Sequence, residues 1–138
     1  MNSTPRRTVV IVDDHPDFLA SIRKLLQVDF DVLAALDNGQ QGVAIVSSLK
    51  PDVVVLDVSM PVLDGFAVAR RLRERGMQTG IVFLTAIEDP EYALAAHALG
   101  ASLVVKRRMH QDLVGAIRTA ADISRANRAS RQDEPDAD

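Results

Sequence analysis

Short apolar runs alternate with amphipathic stretches along most of the chain. The runs 9–12 and 53–56 are continuous, rich in β-branched residues and bounded by polar residues, a pattern typical of strands buried on both faces of a sheet. Between such runs, apolar residues recur at helical spacing, as in Phe18, Leu19, Ile22, Leu25 and Leu26. The alternation predicts an α/β fold in which helices cover both faces of a parallel sheet.

Turn and capping residues divide this pattern into five strands and five helices. The predicted strands are residues 9–12, 32–36, 53–57, 81–84 and 103–105. The first four helices begin near residues that favour helix starts, namely Pro16, Asn38-Gly39, Asp64-Gly65 and Asp89-Pro90. The fifth helix contains Leu113, Val114, Ile117, Ala120 and Ala121. Right-handed crossovers then give a doubly wound, flavodoxin-like sheet with strand order 2-1-3-4-5.

Composition indicates a single domain. The chain has 138 residues, 47% apolar, with a formal net charge of −3, which fits one hydrophobic core. We predict an N-terminal extension over residues 1–7, a globular domain over 8–124 and a disordered polar tail over 125–138. The mixed charges form no basic stripe, which disfavours direct DNA binding. Without cysteine, signal peptide or membrane span, a cytoplasmic protein is expected.

Acidic residues follow two of the predicted buried strands. Asp13 and Asp14 come directly after the first apolar run, and Asp57 ends the third strand. In the predicted order these two strands are neighbours at the switch point of the sheet, where open α/β sheets place their sites. Thr85 and Lys106 follow the fourth and fifth strands at the same edge. The expected site therefore combines three carboxylates, one hydroxyl and one amine.

The chemistry of these side chains is restrictive. Three carboxylates against one ammonium leave an excess of negative charge, which needs a hard divalent cation with oxygen ligands. Mg²⁺ is the expected ion, with Mn²⁺ as a substitute. When such an ion neutralises phosphoryl oxygens, a carboxylate can attack phosphorus, while the lysine and the hydroxyl supply positive charge and a hydrogen bond. The expected product is an aspartyl phosphate.

From Thr8 to about Ser124, the chain resembles the CheY-like receiver domain of bacterial two-component response regulators. The resemblance rests on Asp13-Asp14, Asp57, Met60-Pro61, Asp64-Gly65, Thr85-Ala86 and Lys106, in the family's order and spacing. Further similarity to the NarL-type branch comes from Asp13-Asp14-His15-Pro16, residues 89–93 and Gly100-Ala101-Ser102. The resemblance implies that a sensor histidine kinase, or a histidine phosphotransfer protein, donates a phosphoryl group to an aspartate.

The resemblance also implies which residues bind the metal and the phosphoryl group. Asp57 is the expected phosphoacceptor. Mg²⁺ is expected to be held by Asp14, Asp57 and the backbone carbonyl of Ser59, with Asp13 acting mainly through a water ligand. Apart from its own phosphoryl transfer and dephosphorylation, the domain is not expected to be an enzyme.

Signalling is the second expectation from the family. Lys106 is expected to contact the phosphoryl group or the phosphoacceptor, and Thr85 is expected to move its hydroxyl onto a phosphoryl oxygen in the active state. Phosphorylation would then change a protein-interaction surface on the fourth helix, the fifth strand and the fifth helix. A downstream protein target would bind this surface, or a second copy of the chain would bind it to form a phosphorylation-linked homodimer.

Two positions depart from the family pattern. Leu103 stands where the family usually has tyrosine or phenylalanine, three residues before the lysine, and Arg107 replaces the proline that often follows it. A leucine packs but offers no phenol hydrogen bond, so coupling from the site to the interaction surface is open. The alternative function is a phosphorylation-independent interaction module with a vestigial acidic site.

Two other classes of phosphate-handling protein fit the sequence less well. Phosphatases of the haloacid dehalogenase type need an acid two residues after the nucleophile, where this chain has Ser59. A dinucleotide or flavin binder needs glycines in the first strand-to-helix turn, whereas the Asp13-Asp14 pair would repel a phosphate. Both classes are therefore disfavoured.

The remaining histidines and arginines are assigned no site. The spacing of His15, His97 and His110 does not suggest metal binding, and these residues are expected in turns or facing solvent. The arginines are interpreted as a solvated face, with a partner or dimer surface as the minority option: Arg107, Arg108, Arg118, Arg125, Arg128 and Arg131. Because the residues after 125 do not suggest a helix-turn-helix, either a stand-alone receiver or a truncated chain is expected.

Overall fold

A computed structural model describes residues 6–133 and the side chains of residues 6–130. It contains a five-stranded sheet of order β2-β1-β3-β4-β5 with parallel pairing, which confirms the predicted topology. The strands are β1 Thr8–Val12, β2 Asp31–Leu36, β3 Val53–Asp57, β4 Gly80–Thr85 and β5 Ser102–Val105. The helices are α1 Pro16–Leu26, α2 Gly39–Leu49, α3 Gly65–Glu74, α4 Pro90–Ala98 and α5 Met109–Asp133, with a 3₁₀ turn at Lys106–Arg108.

The central strands are buried on both faces. Alternate residues of β1 belong to different halves of the core: Val9 and Ile11 pack with α1 and α5, whereas Val10 and Val12 pack with α2, α3 and α4. All residues of β3 and β4 are buried as well. Continuous β-branched runs form these strands because each side chain meets apolar neighbours, whichever face it points to.

The start of α3 lies directly against the end of β3. The side chain of Asp64 caps the helix by accepting a hydrogen bond from the backbone N–H of Ala67 at 2.8 Å. At the next residue, a Cβ on Gly65 would lie 2.3 Å from the backbone oxygen of Asp57. Only glycine fits this approach, and it keeps the loop between β3 and α3 close to the acidic edge of the sheet.

The prediction that the polar residues after 124 are disordered is wrong for residues 125–133, because α5 continues as one helix to Asp133. Arg125 and Arg128 lie one turn apart on α5, and each places a guanidinium nitrogen on the Asp52 carboxylate, at 3.0 and 2.8 Å. These two arginines therefore anchor the helix to the sheet and are not merely a solvated face. The boundary predicted after residue 124 falls inside α5. Residues 1–5 and 134–138 lie outside the described residues.

A helix that crosses a membrane needs about 20 consecutive, mostly apolar residues. Between residues 6 and 133, no helix is both long and apolar enough to cross a bilayer. This includes α5, which has the length but carries too many charged residues.

Candidate metal and phosphoacceptor site

Three aspartates converge where β1 and β3 end. The two strands are paired neighbours, with Val12 opposite Leu56, so the residues that follow them come out at the same edge of the sheet. Asp13, Asp14 and Asp57 each bring a carboxylate oxygen to within 4.8 Å of the others. The structure therefore brings together the three carboxylates predicted from the strand ends.

Two of these carboxylates are buried, Asp14 is partly exposed, and all three are incompletely paired. The side chains of Asp13 and Asp57 are 1% and 2% exposed. Within the described side chains, Asp14 Oδ1 and Asp57 Oδ2 are buried oxygens without a hydrogen-bond partner, and Asp13 Oδ2 has an ion-pair contact with Lys106 but no hydrogen bond. Buried charges of this kind are costly unless a counter-charge is present. A hard divalent cation with oxygen ligands, such as Mg²⁺, fits this donor set.

Lys106 supplies one positive charge to the group. Its Nζ lies 3.2 Å from Asp13 Oδ2 and 3.2 Å from Asp57 Oδ1, and its side chain is largely buried. The residue begins the 3₁₀ turn directly after β5, which directs the ammonium across the strand ends. Nζ also lies 4.3 Å from the centre of the Phe18 ring on α1, where the aromatic face favours a cation. One ammonium therefore serves two carboxylates and leaves the third uncompensated.

The surroundings of Asp57 favour its protonated form. The pKa of Asp57 is raised to about 6, first by burial and second by the neighbouring Asp13 carboxylate. The Lys106 ammonium and the backbone N–H of Ser59, which is 3.4 Å from Asp57 Oδ1, act in the opposite direction. In the absence of a metal ion, the charged form of Asp57 is therefore held at a cost in folding stability.

Without metal, Asp57→Asn is expected to raise the free energy of unfolding at pH 7 by about 2 kcal/mol. The folded pKa is about 6 and the unfolded value is near 4, so the folded state binds the proton more tightly. Asp57 thus contributes full stability below about pH 4, and this is lost as pH rises to about 6. Urea unfolding in EDTA at pH 4 and pH 7 measures the difference.

A matched control for this prediction is Asp37→Asn, which neutralises an exposed aspartate after β2. We expect the control to change stability by less than about 0.5 kcal/mol at both pH values. Equal stability of Asp57→Asn and the parent protein at pH 7 would contradict the prediction.

The predicted hydroxyl of the site is engaged elsewhere. Thr85 ends β4 and is buried, but its Oγ1 donates to the backbone oxygen of Ile87 and accepts from the backbone N–H of Ile87, both at 3.1 Å. These bonds hold the hydroxyl within its own loop. A hydrogen bond donated by Thr85 to a phosphoryl group on Asp57 would require the bond to the Ile87 oxygen to break, because the hydroxyl has one proton.

Sequence reasoning missed the proximity of His15 to this site. His15 lies in a turn with an exposed side chain, as expected, but its Nδ1 is 3.2 Å from Asp13 Oδ1, 3.0 Å from Asp14 Oδ1 and 3.6 Å from Asp57 Oδ2. Its backbone N–H donates to Asp13 Oδ1 at 2.9 Å, which turns the chain back over the carboxylates. The available sequence signal was a histidine directly after an acidic pair at a strand end.

The face around α4, β5 and the 3₁₀ turn contains both residues that depart from the family pattern, Leu103 and Arg107. Leu103 is half-buried in the apolar cluster that also contains Phe83 and Tyr92. Arg107 forms an ion pair with Glu88, joining the turn before α5 to the loop before α4. Ile87, in the loop before α4, and Leu94, on α4, expose apolar side chains. The surface formed by α4, β5 and α5 is thus partly apolar and tied to the site through Lys106 and Thr85.

Comparison with known proteins identifies the family. Residues 9–135 match the family described as response regulator receiver domain. The chain belongs to this family. Receiver domains act in two-component signal transduction and bind Mg²⁺ in an acidic pocket. The predictions of a receiver domain and of similarity to NarL-type regulators are confirmed.

Two curated relatives and one solved structure show how far the similarity of this receiver extends. It is 30% identical over 124 residues to the nitrate/nitrite response regulator protein NarL of Escherichia coli K12, covering 88% of this chain and 57% of NarL. It is 36% identical over 113 residues to the DNA-binding transcriptional activator EvgA of the same strain, covering 80% and 55%. The chain thus spans about half the length of these relatives.

The similarity in structure extends over nearly the whole of a solved receiver. The signal receiver domain of the putative response regulator NarL from Mycobacterium tuberculosis matches with a TM-score of 0.81 and 27% identity, covering 86% of this chain and 98% of that one.

Proposed function

We propose that this receiver accepts a phosphoryl group on Asp57 from the phosphohistidine of a sensor histidine kinase or a histidine phosphotransfer protein. The observation that carries the proposal is the buried Asp57 carboxylate, which has Lys106 on one oxygen and no hydrogen-bond partner on the other among the described side chains. Such a carboxylate is available as a nucleophile, and the lysine beside it can stabilise developing negative charge.

Three aspartates and one backbone carbonyl would hold the ion. Asp14, Asp57 and the carbonyl of Ser59 would bind Mg²⁺ or Mn²⁺ directly, and Asp13 would act mainly through a water ligand. The bound ion would neutralise charge on the phosphoryl oxygens. The free oxygens of Asp14 and Asp57 support this assignment. Asp13 is suited to an indirect role because Lys106 and the turn at His15 already occupy its oxygens.

The chain's own residues would carry the transfer itself. An oxygen of the ionised Asp57 carboxylate attacks phosphorus, a bond forms between that oxygen and phosphorus, and the phosphorus–nitrogen bond of the donor breaks. The electron pair of that bond stays on the donor nitrogen, and the imidazole leaves neutral, with a proton that its other ring nitrogen already carries or that it takes from water. Lys106 lies close enough to Asp57 to contact an oxygen of the transferred group. The same residues would act in hydrolysis of the acyl phosphate. The receiver would thus catalyse its own phosphorylation and its own dephosphorylation, and no reaction of another substrate.

Signal output would use the hydroxyl of Thr85. Exchange of its bond to the Ile87 oxygen for a bond to the phosphoryl group would move the loop between β4 and α4. This loop carries Glu88, the ion-pair partner of Arg107, so its movement would reach the surface of α4, β5 and α5. The exposed apolar side chains of Ile87 in this loop and of Leu94 on α4 suit a protein target or a second copy of this receiver.

Incubation with Mg²⁺ and acetyl phosphate or phosphoramidate, followed by intact-mass measurement, tests the proposal. We expect one labile phosphoryl adduct that is absent from Asp57→Asn and from samples treated with a chelator. The adduct should remain in Asp64→Asn, because Asp64 caps α3 and is exposed. An adduct that persists in Asp57→Asn would place the phosphoryl group on another residue.

The second candidate function is protein interaction without phosphorylation, at a vestigial acidic site. Two observations favour it: Leu103 replaces the family's aromatic residue, and the hydroxyl of Thr85 is engaged within its loop. The intact acidic group and Lys106 favour the first function instead. Lack of an adduct with either phosphodonor would support the second candidate.

A further inference from the structure

We propose that His15 is a nitrogen ligand of the acidic site, so that this receiver binds a borderline transition-metal ion such as Zn²⁺ directly through His15, Asp14 and Asp57, while Asp13 holds the turn that positions the histidine. The inference rests on the proposed function only in placing a divalent cation among these carboxylates. It adds a ligand and a class of metal to the site, and both can be tested without phosphorylation.

The spacing of the donor atoms supports binding of one ion between His15, Asp14 and Asp57. His15 Nδ1 lies 3.0 to 3.6 Å from one oxygen of each of the three aspartates. With zinc–ligand distances of about 2.0–2.2 Å, two ligands of a tetrahedral site lie about 3.4 Å apart. The contacts made by the imidazole nitrogen therefore match the separation between neighbouring ligands of a single small cation.

The unpaired oxygens provide a second, independent observation. Asp57 Oδ2 and Asp14 Oδ1 are buried and accept no hydrogen bond from the described residues, although both lie near Nδ1. A hydrogen bond from His15 to Asp13 alone would explain only one of the three short contacts. A shared cation would account for the approach of the Asp14 and Asp57 oxygens to the imidazole.

The local backbone holds His15 in this position. Asp13 Oδ1 accepts the backbone N–H of His15 at 2.9 Å, closing a turn at the end of β1. Pro16 follows at the first position of α1 and fixes the direction of the chain. The imidazole is therefore placed over the carboxylates by the main chain, and little side-chain freedom is lost when it binds an ion.

The donor set determines which metals benefit from His15. Carboxylate and carbonyl oxygens suit Mg²⁺, whereas imidazole suits Zn²⁺, Cu²⁺ and Ni²⁺. Removal of the imidazole should thus weaken Zn²⁺ binding and leave Mg²⁺ binding nearly unchanged. Because both ions use the same carboxylates, Zn²⁺ should also compete with Mg²⁺.

Calorimetric titration of the whole chain with Zn²⁺ alone and with Mg²⁺ alone tests the inference. For His15→Gln we expect Zn²⁺ affinity to fall at least about tenfold and Mg²⁺ affinity to stay within about twofold. The visible absorption of Co²⁺ bound to the parent protein should also change in His15→Gln, since a nitrogen ligand is lost. The control His97→Gln replaces an exposed histidine on α4 and should behave as the parent.

Unchanged Zn²⁺ affinity and Co²⁺ absorption in His15→Gln would overturn the inference. Phosphorylation of His15→Gln with Mg²⁺ and acetyl phosphate separates this outcome from failure of the proposed function. If the adduct forms while Zn²⁺ affinity is lost, both proposals are supported. If Zn²⁺ affinity is lost and even the parent protein forms no adduct, the ligand role of His15 is supported and phosphorylation at Asp57 is rejected.

Discussion

Replacement of Lys106 by alanine is expected to slow phosphorylation of Asp57 by acetyl phosphate by about 10²–10³-fold. The Lys106 ammonium is 3.2 Å from Asp57 Oδ1 and is largely shielded from water, where a positive charge acts strongly on a reacting oxyanion. The rate of adduct formation, measured by intact mass at saturating Mg²⁺, reports the loss. A small phosphodonor keeps the measurement independent of partner docking.

Two controls separate this role of Lys106 from metal binding and from nonspecific charge effects. Mg²⁺ affinity should rise in Lys106→Ala, because Asp13 and Asp57 lose their shared ammonium and attract a cation more strongly. Lys24→Ala removes an exposed lysine from α1 and should leave the rate unchanged. A rate in Lys106→Ala within about threefold of the parent protein, well short of the expected loss, would contradict a role for the ammonium in the transfer.

The strands and the main site were predictable because their signals are local. A β-branched run indicates a strand without knowledge of its neighbours, and the strand order then brings Asp13, Asp57 and Lys106 to one edge. The predicted bounds were close to those observed: β4 was predicted as residues 81–84 and is Gly80–Thr85. Parallel sheets place the carboxyl ends of their strands together, so the group of residues follows from topology alone.

The errors have a different physical origin. Residues 125–133 are polar, and this composition suggested disorder. In the structure, however, Arg125 and Arg128 of α5 donate hydrogen bonds to Asp52, which lies more than 70 residues earlier in the chain. Composition does not reveal such a distant partner. The contact of His15 depends on a turn closed by a side chain, and the orientation of the Thr85 hydroxyl depends on its loop. Both are details of local geometry that residue spacing does not specify.

Two aspartates lie at opposite ends of β3, and one of them stabilises the fold whereas the other belongs to the candidate site. Asp52 precedes the strand; burial alone would raise its pKa, but hydrogen bonds from Arg125, the Thr8 backbone and Arg128 outweigh this and lower it to about 2. Asp57 ends the strand with too few partners, and its pKa is raised to about 6. The fully paired carboxylate stabilises the fold, whereas the underpaired one remains available to a metal ion and a phosphoryl group.

Asp52→Ala is expected to lower the free energy of unfolding at pH 7 by about 3 kcal/mol. The carboxylate accepts the Thr8 backbone N–H at 2.9 Å and pairs with Arg125 and Arg128, so truncation leaves a partly buried N–H and two arginines without this partner. Because its folded pKa is about 2 and its unfolded value is near 4, this stability is present above pH 4 and is lost as pH falls towards 2. Urea unfolding between pH 2 and pH 7 measures both effects.

Hydrogen exchange locates where the stability is lost. In Asp52→Ala, backbone amides of residues 125–133 should exchange faster than in the parent protein, because the helix end loses its anchor on the sheet. The matched control is Asp122→Ala, which breaks an exposed pair between α5 and Arg7 and should cost less than about 1 kcal/mol. Equal losses in the two variants would mean that Asp52 acts as an ordinary surface charge. A larger loss in Asp52→Ala with unchanged exchange beyond residue 125 would show that the network stabilises the sheet edge but does not hold the end of α5.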